Sequence, residues 1–310
     1  MQGRGKTALR RGWTTGVCAA AAARAAFAAL LTRRFPNPVA LRLPSGETAH
    51  FALDLTELEG DRARAGVVKD AGDDPDVTHG ALVVAEIARA AAGAGIVFAA
   101  GEGVGTVTRP GLPLAVGEPA INPAPRAMIR ENLAEVAAAH GLPPPDLVVT
   151  IAIPGGARLA EKTMNGRLGI VGGLSVLGTT GIVVPYSCAA WIHAVHRGID
   201  VARAAGLDHI AAATGATSER AVRRLYDLPD HALIDMGDFV GGMLKYLRRR
   251  PVPRLTIAGG FGKLAKLAGG ALDLHSARSR ADSAALAHLL GELGADGATV
   301  AAARQTAGAA

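Results

Sequence analysis

A block of glycines between residues 158 and 187 constrains the fold of this chain more than any other feature. Glycine loses more conformational entropy on folding than other residues, so a dense run of it indicates sharp turns or close backbone approaches. Polar side chains are interspersed with the glycines, namely Lys162, Thr163, Asn165, Arg167, Ser175, Thr179 and Thr180. Bare amides beside hydroxyls and cations favour a pocket for an anionic or nucleoside-like ligand.

The segment from Gly173 to Thr180 has the spacing of a phosphate-binding P-loop, except that Thr179 occupies the lysine position. That lysine contacts the terminal phosphates of a nucleotide, so its absence argues against nucleotide hydrolysis. A tight turn with packing glycines gives the same pattern. Both interpretations remain open, and we predict that the cofactor-binding residues of this block are Gly178, Thr179, Thr180 and Gly181.

Composition indicates a folded protein with a basic surface. Hydrophobic residues make up 49% of the 310 residues, and the formal net charge is +6. A basic protein suits nucleic acid, an anionic membrane or a polyanionic small molecule. Aromatic residues make up only 4%, which disfavours a base-stacking platform for single strands. We therefore expect a polycarboxylate partner, no nucleic acid and no membrane, and we leave homo-oligomer formation open. The abundant alanine is attributed to compositional drift.

Two cysteines, Cys18 and Cys188, lie far apart and outside any zinc-ligand spacing. Unpaired cysteines suit a reducing cytoplasm, which is the predicted localisation, and no protein-bound metal is expected. Basic residues ahead of the apolar stretch 17–31 imitate a signal peptide, but Arg24 interrupts that stretch. The sequence has no run of about 18 uncharged apolar residues, so we expect no membrane span.

The fold class predicted is α/β, with two domains at 1–190 and 191–310. The first is expected to be mixed α+β. Its expected elements are a helix from 15 to about 31, a hairpin of 39–43 with 48–53, a strand at 96–100, a helix at 125–140 and a strand at 147–153. In the second domain, apolar runs at 210–214, 232–236 and 255–258 each end at glycine. This repeated pattern of an apolar run followed by glycine predicts a Rossmann-like parallel sheet with ligands at the strand ends. A loose tail is expected at 301–310.

An acidic loop at 69–80 carries four aspartates and a histidine. Its carboxylates could ligate a divalent cation, although the EF-hand glycine and glutamate are missing. They could instead cap a helix that begins near Gly80. We favour capping or substrate hydrogen bonding over a metal site. The predicted catalytic residues are Asp70, Asp74 and His79 of this loop, and His275 as a proton carrier near physiological pH.

Basic side chains on glycine-rich segments predict anion binding. Arg109 and Arg126 could each hold a carboxylate through two N–H groups, and a surface salt bridge is the alternative. Lys263 and Lys266 follow a glycine turn, where they could face an anion or form a solvated face. The predicted substrate-binding residues are Arg109, Glu118, Asn122, Arg126, Lys162, Asn165, Arg167, Lys263 and Lys266. Gly215, Gly237 and Asp238 are added to the predicted cofactor-binding residues.

Six strings in fixed order resemble the CbiD family of cobalamin biosynthesis. They are RRGWTTGVCAAAA, KDAGDDPDVTHG, GEGVGTVTRPGL, VGEPAINPAPRAMI, NGRLGIVGGLSVLGTTGIV and GGFGKLAKLAGG. One departure is Tyr186, where methionine is expected before Ser187. The resemblance implies methyl transfer from S-adenosylmethionine to ring carbon C1 of cobalt-precorrin-5B, a corrinoid polycarboxylate. A corrinoid carrier or scaffold, or a nucleotide-dependent enzyme using the C-terminal domain, is the alternative function.

Overall fold

The computed structural model describes residues 9–305 and divides into two compact units, Met1–Ser187 and Cys188–Ala310. The helices of the first unit are α1 Thr15–Thr32, α2 Pro123–Ala139 and α3 Gly156–Ala160. Its strands are β1 Gly12–Trp13, β2 Val39–Arg42, β3 Thr48–Phe51, β4 Leu55–Glu59, β5 Arg62–Val68, β6 Leu82–Arg89, β7 Ile96–Ala100, β8 Thr106–Val107, β9 Leu147–Ala152, β10 Ile170–Val171 and β11 Ile182–Val183.

Helix α1 lies at the centre of the first unit, where it contacts β5, β6 and α2. All its residues from Thr15 to Ala23 are buried, and the five alanines from Ala19 to Ala23 are fully buried. Among residues 9–305, α1 is the one helix whose length and composition would allow it to cross a membrane, and 72% of it is buried inside the fold. Small side chains let neighbouring elements approach closely, so the alanine run that we attributed to drift is a packing feature.

The main sheet has the strand order β4-β5-β6-β9-β7. Its pairs are antiparallel except for β7 with β9, which are parallel. Parallel neighbours end at the same edge of a sheet, so the segments that follow β7 and β9 leave the sheet side by side. The hairpin of β2 and β3 confirms the prediction for that region, with Val39 opposite Phe51.

The second unit contains α4 Cys188–Ala204, β12 His209–Ala213, α5 Ala216–Leu225, β13 Leu233–Asp235, α6 Val240–Arg249, β14 Arg254–Ala258, α7 Phe261–Ala268, α8 Ser283–Glu292 and α9 Gly297–Gln305. Its three strands are parallel in the order β13-β12-β14. Alternate strand residues pack on opposite faces. Ile210 and Ala212 join the core with α4 and α6, whereas Ala211 packs with Val222 of α5.

The predicted loose tail is wrong for residues 301–305, because these residues are the last ones of α9. Residues 306–310 lie outside the described part of the chain.

Candidate functional site

Two segments, 101–122 after β7 and 153–181 after β9, interlock at one edge of the main sheet, and we call them the double loop. The Ile153 amide donates to the Glu102 carbonyl at 2.7 Å, and the Leu174 amide donates to the Gly103 carbonyl at 2.8 Å. Strands β8 and β10 add an antiparallel ladder between the segments. The double loop therefore carries most of the predicted substrate-binding residues on one framework.

At several positions of the double loop, two stretches of backbone pass so close to each other that only glycine fits. A Cβ at Gly103 would lie 2.0 Å from the Ile153 carbonyl oxygen, and one at Gly173 would lie 2.3 Å from the Gly103 oxygen. Such distances exclude any side chain unless the backbone moves. For these positions the structure favours packing over ligand approach, which was the alternative that the sequence left open.

Arg109 keeps unused hydrogen-bonding capacity. Its Nη1 atom is buried and has no hydrogen-bond partner among the described residues. Its aliphatic stem lies against Gly169, where a Cβ would come within 2.6 Å of the Arg109 Cβ and Cγ. A buried donor on a charged group is costly to leave unpaired, so this atom is suited to an acceptor on a ligand.

Each guanidinium nitrogen of Arg126, in contrast, has a hydrogen-bond partner within the protein. Its Nε donates to the Ile121 carbonyl at 2.7 Å, and its Nη2 donates to the Pro119 carbonyl at 3.1 Å. Its Nη1 pairs with Glu118 at 3.0 Å. A hydrogen bond from the Ala115 amide, reinforced by Arg126, lowers the pKa of Glu118. Arg126 and Glu118 thus brace the end of the first segment, which favours the salt bridge that the sequence left as the alternative for Arg126.

The other predicted substrate residues of the double loop differ in exposure. Asn165 is buried, donates from Nδ2 to the Gly173 carbonyl at 3.1 Å and accepts from the Ser175 hydroxyl at 3.3 Å. It therefore holds the glycine block in shape. Lys162 is exposed, whereas Arg167 and Asn122 are half-buried.

The segment Gly178 to Gly181 crosses the first turn of α1. The Thr14 amide donates to the Gly181 carbonyl at 2.9 Å. A Cβ at Gly178 would lie 2.2 Å from Oγ1 of Thr14, whose side chain caps α1 by accepting from the Val17 amide. Gly178 is thus required by helix packing, not by an approaching ligand. Thr179 and Thr180 are exposed, so the predicted cofactor contact of this loop rests on those two residues.

The acidic loop docks the segment ahead of α1. Arg10 binds both carboxylate oxygens of Asp70, at 2.5 and 2.8 Å, and its amide donates to Asp73 at 2.6 Å. The capping prediction was wrong, because residues after Gly80 form strand β6 and no helix. Asp70 and Asp73 are therefore placed to fix the segment ahead of α1.

The three predicted catalytic residues of this loop hold backbone or arginine groups. The pKa of Asp70 is lowered to about 2, first by its hydrogen bond with Arg10 and then by the Gly72 amide. A carboxylate with so low a pKa is a weak general base. The Asp74 carboxylate accepts from the Tyr186 amide at 2.8 Å, and the Nδ1 atom of His79 accepts from the Ala71 amide at 3.1 Å. The geometry favours a structural role for all three.

We predict an acid-dependent contribution of Asp70 to stability. Its folded-state pKa lies below the unfolded value of about 3.9, so the stabilisation is present above about pH 4 and is lost as the pH falls through about 2. Asp70→Asn should therefore lower the free energy of unfolding at pH 6 and have little effect near pH 2. Urea denaturation across this pH range measures the free energy of unfolding, and the Asp61→Asn variant, at an exposed aspartate, is the control. A destabilisation by Asp70→Asn that is the same at both pH values would contradict the prediction.

Sequence reasoning missed the buried cation of the acidic loop. Lys69 is 1% exposed, pairs with Asp76 and donates to the Thr78 hydroxyl at 2.6 Å. Burial raises the pKa of Asp76, but the Lys69 charge and the Thr78 hydrogen bonds outweigh it, so the net shift is downward. The signal in the sequence was the position of Lys69 directly after the apolar residues 65–68, which end strand β5. Cys18 is also buried, and burial raises the pKa of its thiol to about 12.

In the second unit, several predicted residues lie together at the carboxyl ends of the strands. Gly215 follows β12, while Gly237 and Asp238 follow β13. Lys263, near the start of α7 after β14, pairs with Asp238 at 2.9 Å and lies 3.5 Å from the Thr214 carbonyl. We call this group the strand-end cluster.

The structure does not place the remaining predicted residues of the second unit in an anion site. Lys266 is buried, and its Nζ donates to the Leu274 carbonyl at 3.1 Å, so this ammonium has a partner within the protein. His275 is exposed, and its Nδ1 accepts from the Ala277 amide at 3.2 Å. Within residues 9–305 no group of three or more His, Cys, Asp or Glu side chains could hold a metal ion.

The described residues form two units of mixed α and β structure, and their glycine-rich loops carry basic side chains. The family is given by comparison with known proteins. The CbiD family model matches residues 2–185, and the chain belongs to the CbiD family.

Curated relatives extend the similarity over both units. Cobalt-precorrin-5B C(1)-methyltransferase of Paramagnetospirillum magneticum is 62% identical over 298 residues, which cover 96% of this chain and 83% of the relative. The protein of the same name from a Bradyrhizobium species is 66% identical over 287 residues, covering 93% and 76%. The crystal structure of cobalamin biosynthesis protein cbiD from Archaeoglobus fulgidus is 29% identical, with a TM-score of 0.46 over 87% of this chain and 83% of that one.

Proposed function

We propose that this protein transfers a methyl group from S-adenosylmethionine to ring carbon C1 of cobalt-precorrin-5B during corrin ring synthesis. The observation that carries the proposal is the identity of 62% to a curated methyltransferase of this name across 96% of the chain. The free cysteines Cys18 and Cys188 are consistent with a reaction in the cytoplasm.

The reaction depends on the positioning of the methyl donor and the ring carbon more than on covalent catalysis by the protein. S-adenosylmethionine supplies an electrophilic methyl group on a positively charged sulfur. The ring carbon is the nucleophile, so the protein has to hold it in line and keep competing water away. The cobalt belongs to the substrate.

Substrate binding is assigned to the double loop. The corrinoid carries several carboxylates, which suit fixed guanidinium and ammonium groups. Arg109 is the strongest candidate because its buried Nη1 has no partner among the described residues. Lys162 adds an exposed ammonium on the second segment. Electrostatic complementarity of this kind orients a polyanion without any change in the protonation of the protein.

The second unit is proposed to be Rossmann-like. Three parallel strands alternate with helices, and glycine follows each strand end. In sheets of this kind ligands bind outside the carboxyl ends of the strands, so the unit offers the donor a site separate from the double loop.

Activity is tested with purified protein, S-adenosylmethionine carrying a labelled methyl group, and cobalt-precorrin-5B. We expect one added methyl per corrinoid by mass spectrometry and formation of S-adenosylhomocysteine. A reaction without protein serves as control. Corrinoid binding without methyl transfer by the folded protein would favour a carrier or scaffold and contradict the proposal.

A further inference from the structure

We infer that the strand-end cluster of the second unit, and not the Gly178 loop, binds the methyl donor, with the amino-acid end at Asp238 and Lys263 and the adenosine beside Gly215. The inference rests on the proposed function, which offers the donor the strand ends of the second unit but does not name the residues that bind it. It makes the second unit the donor-binding part of the enzyme.

The topology of the sheet places an opening at this edge. Strand β12 lies between β13 and β14, so the chain runs from β12 to one neighbour and then returns past β12 to the other. Where the direction of winding reverses, the connecting segments separate and leave a crevice at the carboxyl ends of the strands. Gly215 and Gly259 border the ends of β12 and β14 at that point.

Gly215 differs from the packing glycines of the first unit. Its φ is +154°, a conformation that residues with side chains rarely adopt. Among the described residues, no heavy atom lies within 4 Å of the position that a Cβ would take there. Packing therefore does not explain the glycine, whereas at Gly178 the Thr14 side chain does. A bare backbone that faces open space allows a ligand to approach closely.

Asp238 and Lys263 match the charges of an amino-acid group. Their side chains are 22% and 35% exposed and pair at 2.9 Å, so both remain within reach of a ligand. A carboxylate can bind Lys263 and an ammonium group can bind Asp238, which together recognise a zwitterion. S-adenosylmethionine carries such a zwitterion at one end and a neutral nucleoside at the other.

Apolar surface at the same edge suits the nucleoside. Phe261, which follows Gly260 at the start of α7, is 69% exposed. Exposed aromatic rings are suited to stack on a purine base. The Thr214 and Ser218 hydroxyls, 3.3 Å apart, offer hydrogen bonds to a ribose. These groups complement the two ends of one ligand.

The test measures S-adenosylhomocysteine affinity by calorimetry on the full chain. Lys263→Gln should weaken binding by about 10- to 150-fold, the range for one charged hydrogen bond. Lys245→Gln, on the exposed side of α6, is its control. Gly215→Val should weaken binding by at least about tenfold through its bulk. Gly206→Val is the matched control, since Gly206 also has a positive φ of +74° and open surroundings but precedes β12.

Tryptophan fluorescence can show which of the two units binds the ligand. The chain has two tryptophans, and Trp191 lies 3.3 Å from the Cβ position of Gly237. In a Trp13→Phe background, S-adenosylhomocysteine should change Trp191 emission. If the ligand binds but both variants match their controls and emission is constant, the inference is wrong and the proposed function stands. If the unsubstituted protein does not bind the ligand, both fail.

Discussion

Gly103→Ala should lower the free energy of unfolding of the first unit by more than about 3 kcal/mol, among the largest effects of a single methyl group. The added Cβ would lie 2.0 Å from the Ile153 carbonyl oxygen and 2.8 Å from the Gly156 amide nitrogen. Both are backbone atoms, so no rotamer change can relieve the overlap. The two segments of the double loop would have to separate. The loss in free energy of unfolding is measured by urea denaturation, monitored by circular dichroism.

Gly155→Ala provides the matched control. Its φ of +74° is nearly the same as the +71° of Gly103, but among the described residues no heavy atom lies within 4 Å of its Cβ position. Backbone strain alone should cost about 1–2 kcal/mol at either position. If the two alanine variants lose equal stability, the chain crossing at Gly103 has no energetic importance and the double loop is less closely packed than the structure indicates.

This pair of glycines shows what sequence reasoning could and could not supply. Local signals predicted the hairpin of β2 and β3, the strand β9 and the three strands of the second unit, because turn residues and apolar periodicity are local. The reason for a glycine is not local. Gly103 is required by Ile153, 50 positions along the chain, and a single sequence contains no record of such a crossing.

The same limit applies to charged residues. Arg109 and Arg126 lie in similar glycine- and proline-rich surroundings, and from the sequence they were equivalent carboxylate binders. In the fold, Arg126 finds two carbonyls and Glu118, whereas Nη1 of Arg109 finds no partner among the described residues. The acidic loop is similar, since its aspartates were interpreted as caps or ligands, whereas Asp70 and Asp73 bind Arg10. Arg10 lies 60 positions from Asp70. The partners of Arg126 lie only 5 to 8 positions away, but it is the folded path of the segment ahead of α2 that brings them to its guanidinium.

The difference between the two arginines leads to a prediction about substrate affinity. Arg109→Met keeps an unbranched stem over Gly169 but removes the charge and the unpaired Nη1 donor. Losing a charged hydrogen bond costs about 1.5–3 kcal/mol, so the KM for cobalt-precorrin-5B should rise by about 10- to 150-fold. Because the contact is to a carboxylate remote from the reacting carbon, kcat should change little.

Two further variants show whether the effect is specific to the unpaired donor. Arg130→Met removes an exposed arginine that lies 4.8 Å from the Phe98 ring centroid, and it should leave the KM unchanged. Arg126→Met should lower the free energy of unfolding, because it removes one hydrogen bond from each of two carbonyls and one charged partner from Glu118. Affinity for S-adenosylhomocysteine should be unchanged in folded Arg109→Met protein. If Arg109→Met leaves the KM unaltered, its buried donor does not face the substrate, and Lys162 or Arg167 becomes the residue to replace next.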